Sequence, residues 1–393
     1  MIEIKSLNAY NGDCFFIYFP EEKFNILIDG GYTNTFNKIK KELEIIKERG
    51  EHLNLLVVTH IDNDHINGII KLIKENGSNE ESKIIKIDEI WFNSYFNSPT
   101  LKNEISISDE NIKKLKIFIK ESYDIYSSTE VGTKEGIKLS NLLINGKYVV
   151  NSSNDFKAIN IEETNEIQKG NITFKFLSPL KKDLEEIDIL FNEKLEFLEN
   201  KDGIIYEKSL NDYFEKFLIS LEENNIEVRS QEISTENDIV KLAEKEDEEK
   251  NSLNNKTSIA FIIEYNDKKL IFLGDASLNV YSNQLNKIYP NLDEVNFDFI
   301  KLSHHGSKYN ISKKFIEDIN CSNYYISTDG SGNHGHPNKE TISKLIINSK
   351  NPIKIYFNTF NLRHKRWLCN LENDTQLKEK YNYEIKIDDV IQL

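Results

Sequence analysis

The sequence predicts an α/β fold in which short apolar strands alternate with amphipathic helices. Three observations predict it: an opening β-meander that leads into a strand–helix–strand unit, a second series of apolar strands after residue 258, and histidine pairs that directly follow apolar strands. Polar residues at strand ends are typical of α/β proteins, because their binding sites lie outside the carboxyl ends of the strands.

Three short strands open the chain. Residues 2–8 and 14–19 are predicted to be strands around a turn at Asn11-Gly12-Asp13, and residues 24–29 form a third strand that ends at Asp29-Gly30-Gly31. Glycine, asparagine and aspartate are typical of turns. The opening is therefore expected to be a β-meander.

A helix and a buried strand follow the meander. Apolar residues from Phe36 to Ile46 recur at three- and four-residue spacing, which predicts an amphipathic helix, and Gly50 is placed to cap its C-terminus. Residues 53–59 (LNLLVVT) have the pattern of a short buried strand. Together they predict a βαβ unit whose last strand ends at His60.

The alternation continues through the middle of the chain. We expect strands at 85–93 and 172–177, and helices at 112–119 and from 181 to about 222.

An acidic segment then interrupts the pattern. Residues 228–256 are polar and rich in Asp and Glu, which predicts a mobile surface loop or a partner-facing insertion. We interpret residues 181–256 as an elaboration of one domain that spans residues 1–393.

A second set of strands follows. Residues 258–265 and 269–273 are predicted to form a hairpin around Asn266-Asp267 that leads into Gly274-Asp275-Ala276. Further strands are expected at 297–303, 324–328 and 353–358.

The composition is that of a globular protein with an acidic surface. Lys and Arg number 50 and Asp and Glu 65, so the net charge is −15. This charge argues against nonspecific coating of nucleic acid, so a polyanionic substrate would have to be held locally. The one compact basic segment, Arg363-His364-Lys365-Arg366, is a weak candidate for steering nucleic acid.

The sequence shows no sign of secretion or membrane insertion. It has no apolar run of about 18 residues, and its first residues alternate like a strand instead of forming a signal peptide. Cys14, Cys321 and Cys369 are too scattered to predict a disulfide framework or a thiolate metal site. We therefore expect a protein of the reducing cytoplasm without membrane contact.

Most of the histidines occur in pairs. Six of the eight form three pairs: His60 and His65, His304 and His305, and His334 and His336. The first pair lies in the segment THIDNDH together with two aspartates, Asp62 and Asp64. Neutral imidazole and carboxylate are good ligands for Zn²⁺ or Mn²⁺, so this density predicts a metal site. The structural alternative is that the aspartates cap a helix.

The order of these motifs resembles that of a known family. His60-x-Asp62-x-Asp64-His65 is similar to the His-x-His-x-Asp-His signature of the metallo-β-lactamase superfamily, with Asp62 at the position of the second histidine. That replacement resembles the branch that contains the hydrolase domain of ComEC-type competence proteins. Further motifs of the branch follow in order: Gly12-Asp13, Asp29-Gly30-Gly31, Asn255-x-x-Ser258, Gly274-Asp275, SHHGS at 303–307, and Asn333-x-Gly335-His336-Pro337.

The resemblance implies a fold and a cofactor. The fold would be an αββα four-layer sandwich, two β-sheets covered by helices, with one or two divalent metal ions, Zn²⁺ or Mn²⁺, in the groove at one edge. The implied ligands are Asp64, His65 and His304 for one ion, His60 and Asp62 for the other, and Asp275 between them. The superfamily has another histidine before the bridging aspartate, but no histidine lies between His65 and His304 here, and Asn255 stands near that place.

The resemblance also implies catalytic roles. A bound ion lowers the pKa of water towards about 7, and Asp64 is expected to orient that water. His305 and His336 are candidates to contact the substrate or to protonate the leaving oxygen, although His305 is equally expected as a hydrogen-bonded support. The remaining polar residues of the motifs are expected to support the ligands: Asp13, Asp29, Asn255, Ser258 and Ser307.

The leading functional hypothesis is a metal-dependent phosphodiesterase or nuclease, because the resemblance implies a bridging aspartate at Asp275. One alternative is a metallo-hydrolase of a small ester, amide or peptide. Another is a regulatory or binding module with a weakened site, since a ligand histidine is missing. A locally bound nucleic acid and a protein partner at the acidic segment are the partners expected; the oligomeric state is left open.

Overall fold

The computed structural model describes residues 1–94, 97, 139–199, 238–331, 335–357 and 366–393, with side chains to residue 190 in the helix that ends at 199. The predicted helix at 112–119, His334 and the basic residues 363–365 lie outside the described residues.

The first sheet contains six strands. They are β1 (Glu3–Ser6), β2 (Phe15–Phe19), β3 (Phe24–Ile28), β4 (Leu53–Val57), β5 (Ile87–Trp91) and β16 (Val390–Gln392), in the order β16-β1-β2-β3-β4-β5. The meander β1-β2-β3 is antiparallel, whereas β3, β4 and β5 are parallel. The predicted meander and βαβ unit are therefore confirmed.

Three helices lie against this sheet: α1 (Phe36–Glu48), α2 (Asn63–Asn76) and α3 (Leu139–Asn145). Phe36, Ile39, Leu43 and Ile46 are the buried residues of α1, as their spacing predicts. The strand pattern did not reveal α2, which begins inside the His/Asp segment.

The second sheet contains eight strands. They are β6 (Glu166–Lys169), β7 (Ile172–Ser178), β8 (Ala260–Tyr265), β9 (Lys268–Phe272), β11 (Phe299–Lys301), β13 (Asn323–Ile326), β14 (Ile353–Phe357) and β15 (Tyr383–Ile387), in the order β15-β14-β13-β11-β9-β8-β7-β6. The short strands β10 (Asn296–Phe297) and β12 (Asn320–Cys321) form a separate parallel pair. The predicted hairpin is β8-β9.

The remaining described α-helices lie after residue 180. They are α4 (Lys181–Glu199), α5 (Ile239–Ala243), α6 (Leu253–Lys256), α7 (Leu278–Ile288), α8 (Lys313–Asp318), α9 (Lys339–Asn348), α10 (Arg366–Asn373) and α11 (Thr375–Tyr381). No helix among the described residues is long and apolar enough to cross a membrane.

The buried apolar side chains form three layers of core. One cluster lies between the first sheet and its helices, another between the second sheet and its helices, and the third between the two sheets. The layer between the sheets contains many aromatic rings; the rings of Trp91 and Phe174 meet edge to face with centroids 4.8 Å apart. Three cores between four layers confirm the predicted αββα sandwich.

The acidic segment contains short helices as well as loop. Its composition predicts a mobile surface loop or a partner-facing insertion over 228–256; residues 238–256, the described part, contain α5, which packs on α9, and α6. We call residues 244–256 the strap. Ion pairs hold it to α8 and α9: Glu244 to Lys313 at 2.9 Å, Lys245 to Glu340 at 2.8 Å, and Asp247 to buried Lys344.

Candidate metal centre

The first His/Asp segment turns directly from β4 into α2. Asp62 occupies the N-cap position of α2 with an extended backbone, but its side chain accepts no hydrogen bond from the helix. Instead, Asn254 on the strap donates a hydrogen bond to Asp62 Oδ1 at 3.1 Å, and Asp62 Oδ2 lies 3.4 Å from His60 Nε2. Helix capping therefore does not explain Asp62.

Asp275 follows β9, and a hydrogen bond to Ser258 fixes its backbone. The hydroxyl oxygen of Ser258 accepts the Asp275 N–H at 3.0 Å. Gly274 adopts a φ of +47°, and a Cβ added there would lie 2.4 Å from Ser258 Oγ. Only glycine fits this turn, which aims the Asp275 carboxylate between the two sheets.

His304 and His305 lie just beyond β11 in an unusual backbone conformation. Both have left-handed φ angles, 49° and 52°. This conformation costs of order 1–3 kcal/mol per non-glycine residue, and such strain clusters at functional sites. Here it allows two consecutive imidazoles to approach the same carboxylate.

Four imidazole Nε2 atoms converge on Asp275. Its Oδ2 lies 3.9 Å from Nε2 of His60, 3.8 Å from that of His304 and 3.9 Å from that of His305, and its Oδ1 lies 3.6 Å from Nε2 of His65. The structure thus brings together residues from three separate segments, which follow β4, β9 and β11. Asp275 lies at their centre.

Hydrogen bonds at the outer ring nitrogens set the tautomers. His65 Nδ1 donates to Asp29 Oδ2 at 2.9 Å, and His305 Nδ1 donates to the carbonyl oxygen of Ser327 at 2.8 Å. The Thr59 hydroxyl donates its hydrogen to Asp29. Its oxygen therefore accepts a hydrogen bond from His60 Nδ1 at 3.0 Å. Each neutral ring therefore keeps its lone pair on Nε2, which faces the centre.

These residues fit a divalent metal ion. Four of their inward atoms are buried and have no hydrogen-bond partner: Nε2 of His60, His65 and His305, and Oδ1 of Asp275. Buried polar atoms are normally paired, and imidazole nitrogen with carboxylate oxygen is a typical ligand set for Zn²⁺ or Mn²⁺. Ligand atoms lie within 4.8 Å of one another in two sets around this centre: His60, His65 and Asp275, and Asp64, His65 and His305.

The carboxylates and imidazoles of the centre shift each other's pKa values. Burial raises the pKa of Asp64 and Asp275, but neighbouring imidazoles outweigh burial and hold both pKa values below their usual range. Burial lowers the pKa of His305, whereas Asp275 and Asp13 raise it to about 10. The pKa of His65 is also raised, against burial, by Asp275 and Asp64. The centre thus attracts positive charge.

A buried lysine lies behind the carboxylates. Lys301 on β11 forms an ion pair with Asp13, donates to the carbonyl oxygen of Gly274 at 3.0 Å and lies 3.9 Å from Asp275 Oδ1. Burial raises the pKa of Asp13, but Lys301 and His305 bring it down to about 2. Sequence analysis missed Lys301, although a lysine inside the apolar strand FIKL was a signal.

Glycine allows the first turn to approach the metal loop. A Cβ added to Gly12 would lie 1.9 Å from the carbonyl oxygen of Asp64, and the Asp13 N–H donates to that same oxygen at 3.1 Å. The Gly12-Asp13 turn is therefore packed against the backbone of Asp64.

Asparagines support the far side of the centre. Asn255 Oδ1 accepts from the Ser252 hydroxyl at 2.7 Å, and Asn255 Nδ2 lies 3.4 Å from His304 Nδ1. Asn310 Oδ1 lies 3.2 Å from the same nitrogen, and its Nδ2 donates to Asn251 at 2.7 Å. Asn254 and Asn310 were missed, because nothing in their local sequence marks them.

The last two predicted residues lie beside the cluster. The ring of His336 is 4.9 Å from that of His304 and 6.4 Å from that of His305, centroid to centroid. Ser307 is buried, and its hydroxyl accepts from the Tyr309 N–H at 3.3 Å, so it organises the following turn.

Part of the sequence matches the model of a known family. Residues 7–113 match the family model described as Metallo-beta-lactamase superfamily. The chain has the metallo-β-lactamase fold. In this fold the parallel strands of both sheets end at one edge, where the His/Asp cluster lies. No curated protein matches the sequence significantly.

The solved structures that are similar to this chain are distant in sequence. The metallo-β-lactamase fold protein YhfI from Bacillus subtilis is 10% identical with a TM-score of 0.37, and the alignment covers 99% of this chain and 98% of YhfI. Zn²⁺-bound PqqB from Methylobacterium extorquens is 10% identical with a TM-score of 0.40 over 100% of both chains. CmlA, a diiron β-hydroxylase from Streptomyces venezuelae, is 9% identical with a TM-score of 0.39 over 100% of this chain and 54% of CmlA. Similarity at this level carries no argument about activity.

Proposed function

We propose that the protein is a metal-dependent hydrolase that cleaves phosphodiester bonds, with DNA or RNA as its substrate. The observation that supports hydrolysis is the convergence of four imidazole Nε2 atoms on the Asp275 carboxylate. A divalent ion held there would act as a Lewis acid and lower the pKa of a water molecule.

The residues that would hold metal are the set expected from the sequence: His60, Asp62, Asp64, His65, Asp275 and His304. Formal charge favours more than one ion: five carboxylates (Asp13, Asp29, Asp62, Asp64 and Asp275) and one ammonium (Lys301) leave −5 + 1 = −4 in and around the centre. Two divalent cations would neutralise that charge.

Asp64 and His336 would serve the reaction from the open side. The side chain of Asp64 is 23% exposed, more than those of its neighbours His65 and Asp275, so it can accept a hydrogen bond from an attacking water and orient it. His336 lies beside His304 and is partly exposed. As imidazolium it would hold a non-bridging phosphate oxygen.

The resemblance to the hydrolase domain of ComEC-type proteins favours phosphodiesters. The three carboxylates Asp62, Asp64 and Asp275 are hard ligands, which suits Mn²⁺ as well as Zn²⁺. If these residues hold two divalent ions, the ions would supply Lewis acids that stabilise charge on the oxygens of a phosphoryl centre.

The net charge of −15 favours a second candidate, hydrolysis of a small ester, amide or peptide. An extended polyanion would be repelled by most of such a surface, whereas a small substrate would not. The first experiment therefore compares cleavage of labelled single-stranded DNA, RNA and a chromogenic phosphodiester in Mn²⁺ or Zn²⁺.

Asp64→Asn is the test variant, and Asp88→Asn is its control, because Asp88 is exposed and pairs with His52 on the surface. We expect Asp64→Asn to lower cleavage roughly 100-fold or more and Asp88→Asn to leave it unchanged. Bound metal without cleavage of any of the three substrates would favour the small-substrate hydrolase. Less than one ion per chain would favour a regulatory module.

A further inference from the structure

Two lysines converge on one tyrosine near the metal centre. The ammonium nitrogen of Lys250 lies over the ring of Tyr309, 4.9 Å from its centroid, and that of Lys308 lies 5.1 Å from the same centroid. Lys250 belongs to the strap, whereas Lys308 follows the histidines after β11, so only the folded chain brings them together. We call Lys250, Lys308 and Tyr309 the Tyr309 site.

The Tyr309 site lies beside His304. Lys250 and Tyr309 each precede an asparagine, and these two asparagines are in contact: Asn310 Nδ2 donates to Asn251 Oδ1 at 2.7 Å. Asn310 Oδ1 in turn lies 3.2 Å from His304 Nδ1. The side chain of His304 is 15% exposed, whereas those of the other three imidazoles around Asp275 are at most 4% exposed. The site is therefore next to the most exposed imidazole of the centre.

The two lysines are a local concentration of positive charge on an acidic protein. Lys250 pairs with Glu248 at 3.4 Å, but the two side chains are 67% and 61% exposed, so solvent weakens this pair. Glu340, a carboxylate on α9 that interacts with Lys308, forms its own ion pair with Lys245 at 2.8 Å. Two ammonium groups around one ring repel each other, and an anion bound beside both would remove that repulsion.

We infer that the Tyr309 site binds a backbone phosphate of a single-stranded nucleic acid, close to the phosphate that would be cleaved at the metal centre. The inference rests on the proposed function, because the strand it binds is the proposed substrate. Lysine ammonium groups contact phosphates whatever the base sequence, and the ring of Tyr309 would hold both in place before the strand arrives. The site would supply the local contact that a polyanion needs on a protein with a net charge of −15.

The competing explanation is packing. Lys250 would then serve only to hold the strap against Tyr309 through a cation–π contact. The two roles differ in their dependence on salt. Binding of a strand to lysines releases counterions, so the logarithm of the affinity falls linearly with the logarithm of the salt concentration, with a slope set by the number of phosphate contacts. A packing contact does not contribute to that slope.

The experiment measures the affinity of the full, Mn²⁺-loaded chain for labelled oligothymidylate at several NaCl concentrations by fluorescence anisotropy. Phosphorothioate linkages, which resist hydrolysis, keep the strand intact during the measurement. Lys250→Met, Lys308→Met and the double variant are the test proteins, because methionine retains most of the apolar stem of lysine and removes its charge. Affinity for Mn²⁺ and melting temperature are measured on the same proteins.

Lys380→Met is the matched control. The ammonium nitrogen of Lys380 lies 4.8 Å from the ring centroid of Tyr381, so this pair has the same chemistry as the Tyr309 site. It lies on α11 just before β15, whose first residue, Tyr383, pairs with Ile353, the first residue of the parallel strand β14. The control pair is therefore at the edge of the sheet opposite the metal centre.

Each test lysine that is lost should lower the magnitude of the salt slope by about 0.7, which corresponds to about 5-fold weaker binding at about 0.1 M salt. Loss of both lysines should weaken binding about 25-fold under the same conditions. Lys380→Met should have the slope and the affinity of wild type. Lower slopes in the test variants, with the Mn²⁺ affinity and melting temperature of wild type, would support the inference.

Wild-type slopes in Lys250→Met and Lys308→Met would overturn the inference, and if wild type cleaves DNA or RNA the proposed function would stand without it. A change in Mn²⁺ affinity or melting temperature with an unchanged slope would assign the lysines to packing. Lower slopes in the variants, with no cleavage of any strand by wild type, would support the site and contradict the proposed hydrolysis. Failure of wild type to bind a strand would overturn both.

Discussion

Asp29 accepts a hydrogen bond from His65 at 2.9 Å, on the ring nitrogen that faces away from Asp275. The same carboxylate accepts the Thr59 N–H at 2.8 Å and the Thr59 hydroxyl at 2.7 Å, and Thr59 in turn accepts from His60. A single buried carboxylate therefore orients two candidate ligands, His65 directly and His60 through Thr59.

Replacing Asp29 should weaken metal binding. Asp29→Asn removes the charge and one acceptor, so His65 and Thr59 can no longer both be satisfied. We expect the affinity for Zn²⁺ or Mn²⁺ to fall about 10- to 100-fold, measured by competition with a chelator. Asp88→Asn disrupts an exposed Asp–His pair of the same chemistry, with 3.2 Å between Nδ1 and Oδ1, and should leave the affinity unchanged. Equal affinities for all three proteins would contradict the role of Asp29.

Lys301 should be essential for the stability of the metal-free protein. Lys301→Met leaves the buried carboxylates of Asp13 and Asp275 without a cation, which should lower the free energy of unfolding by about 3–5 kcal/mol. Adding Asp13→Asn should recover part of this loss, because it removes one unpaired charge. Urea unfolding measures both effects.

Lys268→Met is the control for Lys301→Met. Lys268 pairs with Asp298 at 2.9 Å near the surface, with side chains 35% and 21% exposed, so the loss should be about 0–1 kcal/mol. Similar losses for the two lysines, or no recovery in the double variant, would show that Lys301 does not compensate the buried carboxylates.

Loss of the ion pair between Lys344 and the strap should affect the metal centre. Lys344 on α9 is 2% exposed and pairs with Asp247, while Asn254 at the other end of the strap donates to Asp62. Lys344→Met should speed amide hydrogen exchange in residues 244–256 and weaken metal binding, since Asp62 is held less firmly.

Lys314→Met is the matched control for the strap, because Lys314 is 80% exposed and pairs with Asp318 within α8. It should change neither hydrogen exchange in the strap nor metal affinity. Faster exchange in Lys344→Met with wild-type metal affinity would separate the strap from the centre.

Glu89 should give stability a pH dependence that is independent of the metal site. Burial raises its pKa, but hydrogen bonds from Lys169 and Ser153 outweigh burial and lower the pKa. A lowered pKa in the folded state means that Glu89 stabilises the protein above its unfolded pKa of about 4.3 and loses this effect as pH falls through the folded value.

The difference in free energy of unfolding between wild type and Glu89→Gln should therefore be about 1–3 kcal/mol at pH 7 and shrink below about pH 4. Glu166→Gln, at an exposed position on the neighbouring β6, is the control and should show no such trend. A difference that stays constant with pH would exclude the charge of Glu89 as its cause.

Much of the fold could be predicted because it depends on local patterns. The apolar spacing of α1 and the short apolar runs of β4, β8 and β9 are visible in a few consecutive residues. The pairing of β16 with β1 was not predictable in this way, since it joins residues at the two ends of the chain. The acidic composition of the strap did not predict its ion pairs, because a partner such as Lys344 lies 97 residues from Asp247 along the chain.

The sequence by itself determined the types of ligand, their order and the absence of a histidine between His65 and His304. The tertiary structure alone decided which nitrogen of each imidazole faces Asp275, that Lys301 lies behind the carboxylates, and that Asn255 lies behind His304. The physical reason is distance: residue types and strand ends are local properties, whereas a tautomer or a ligand set depends on contacts between β3, β4, β9 and β11, which are far apart along the chain and meet only when the two sheets pack.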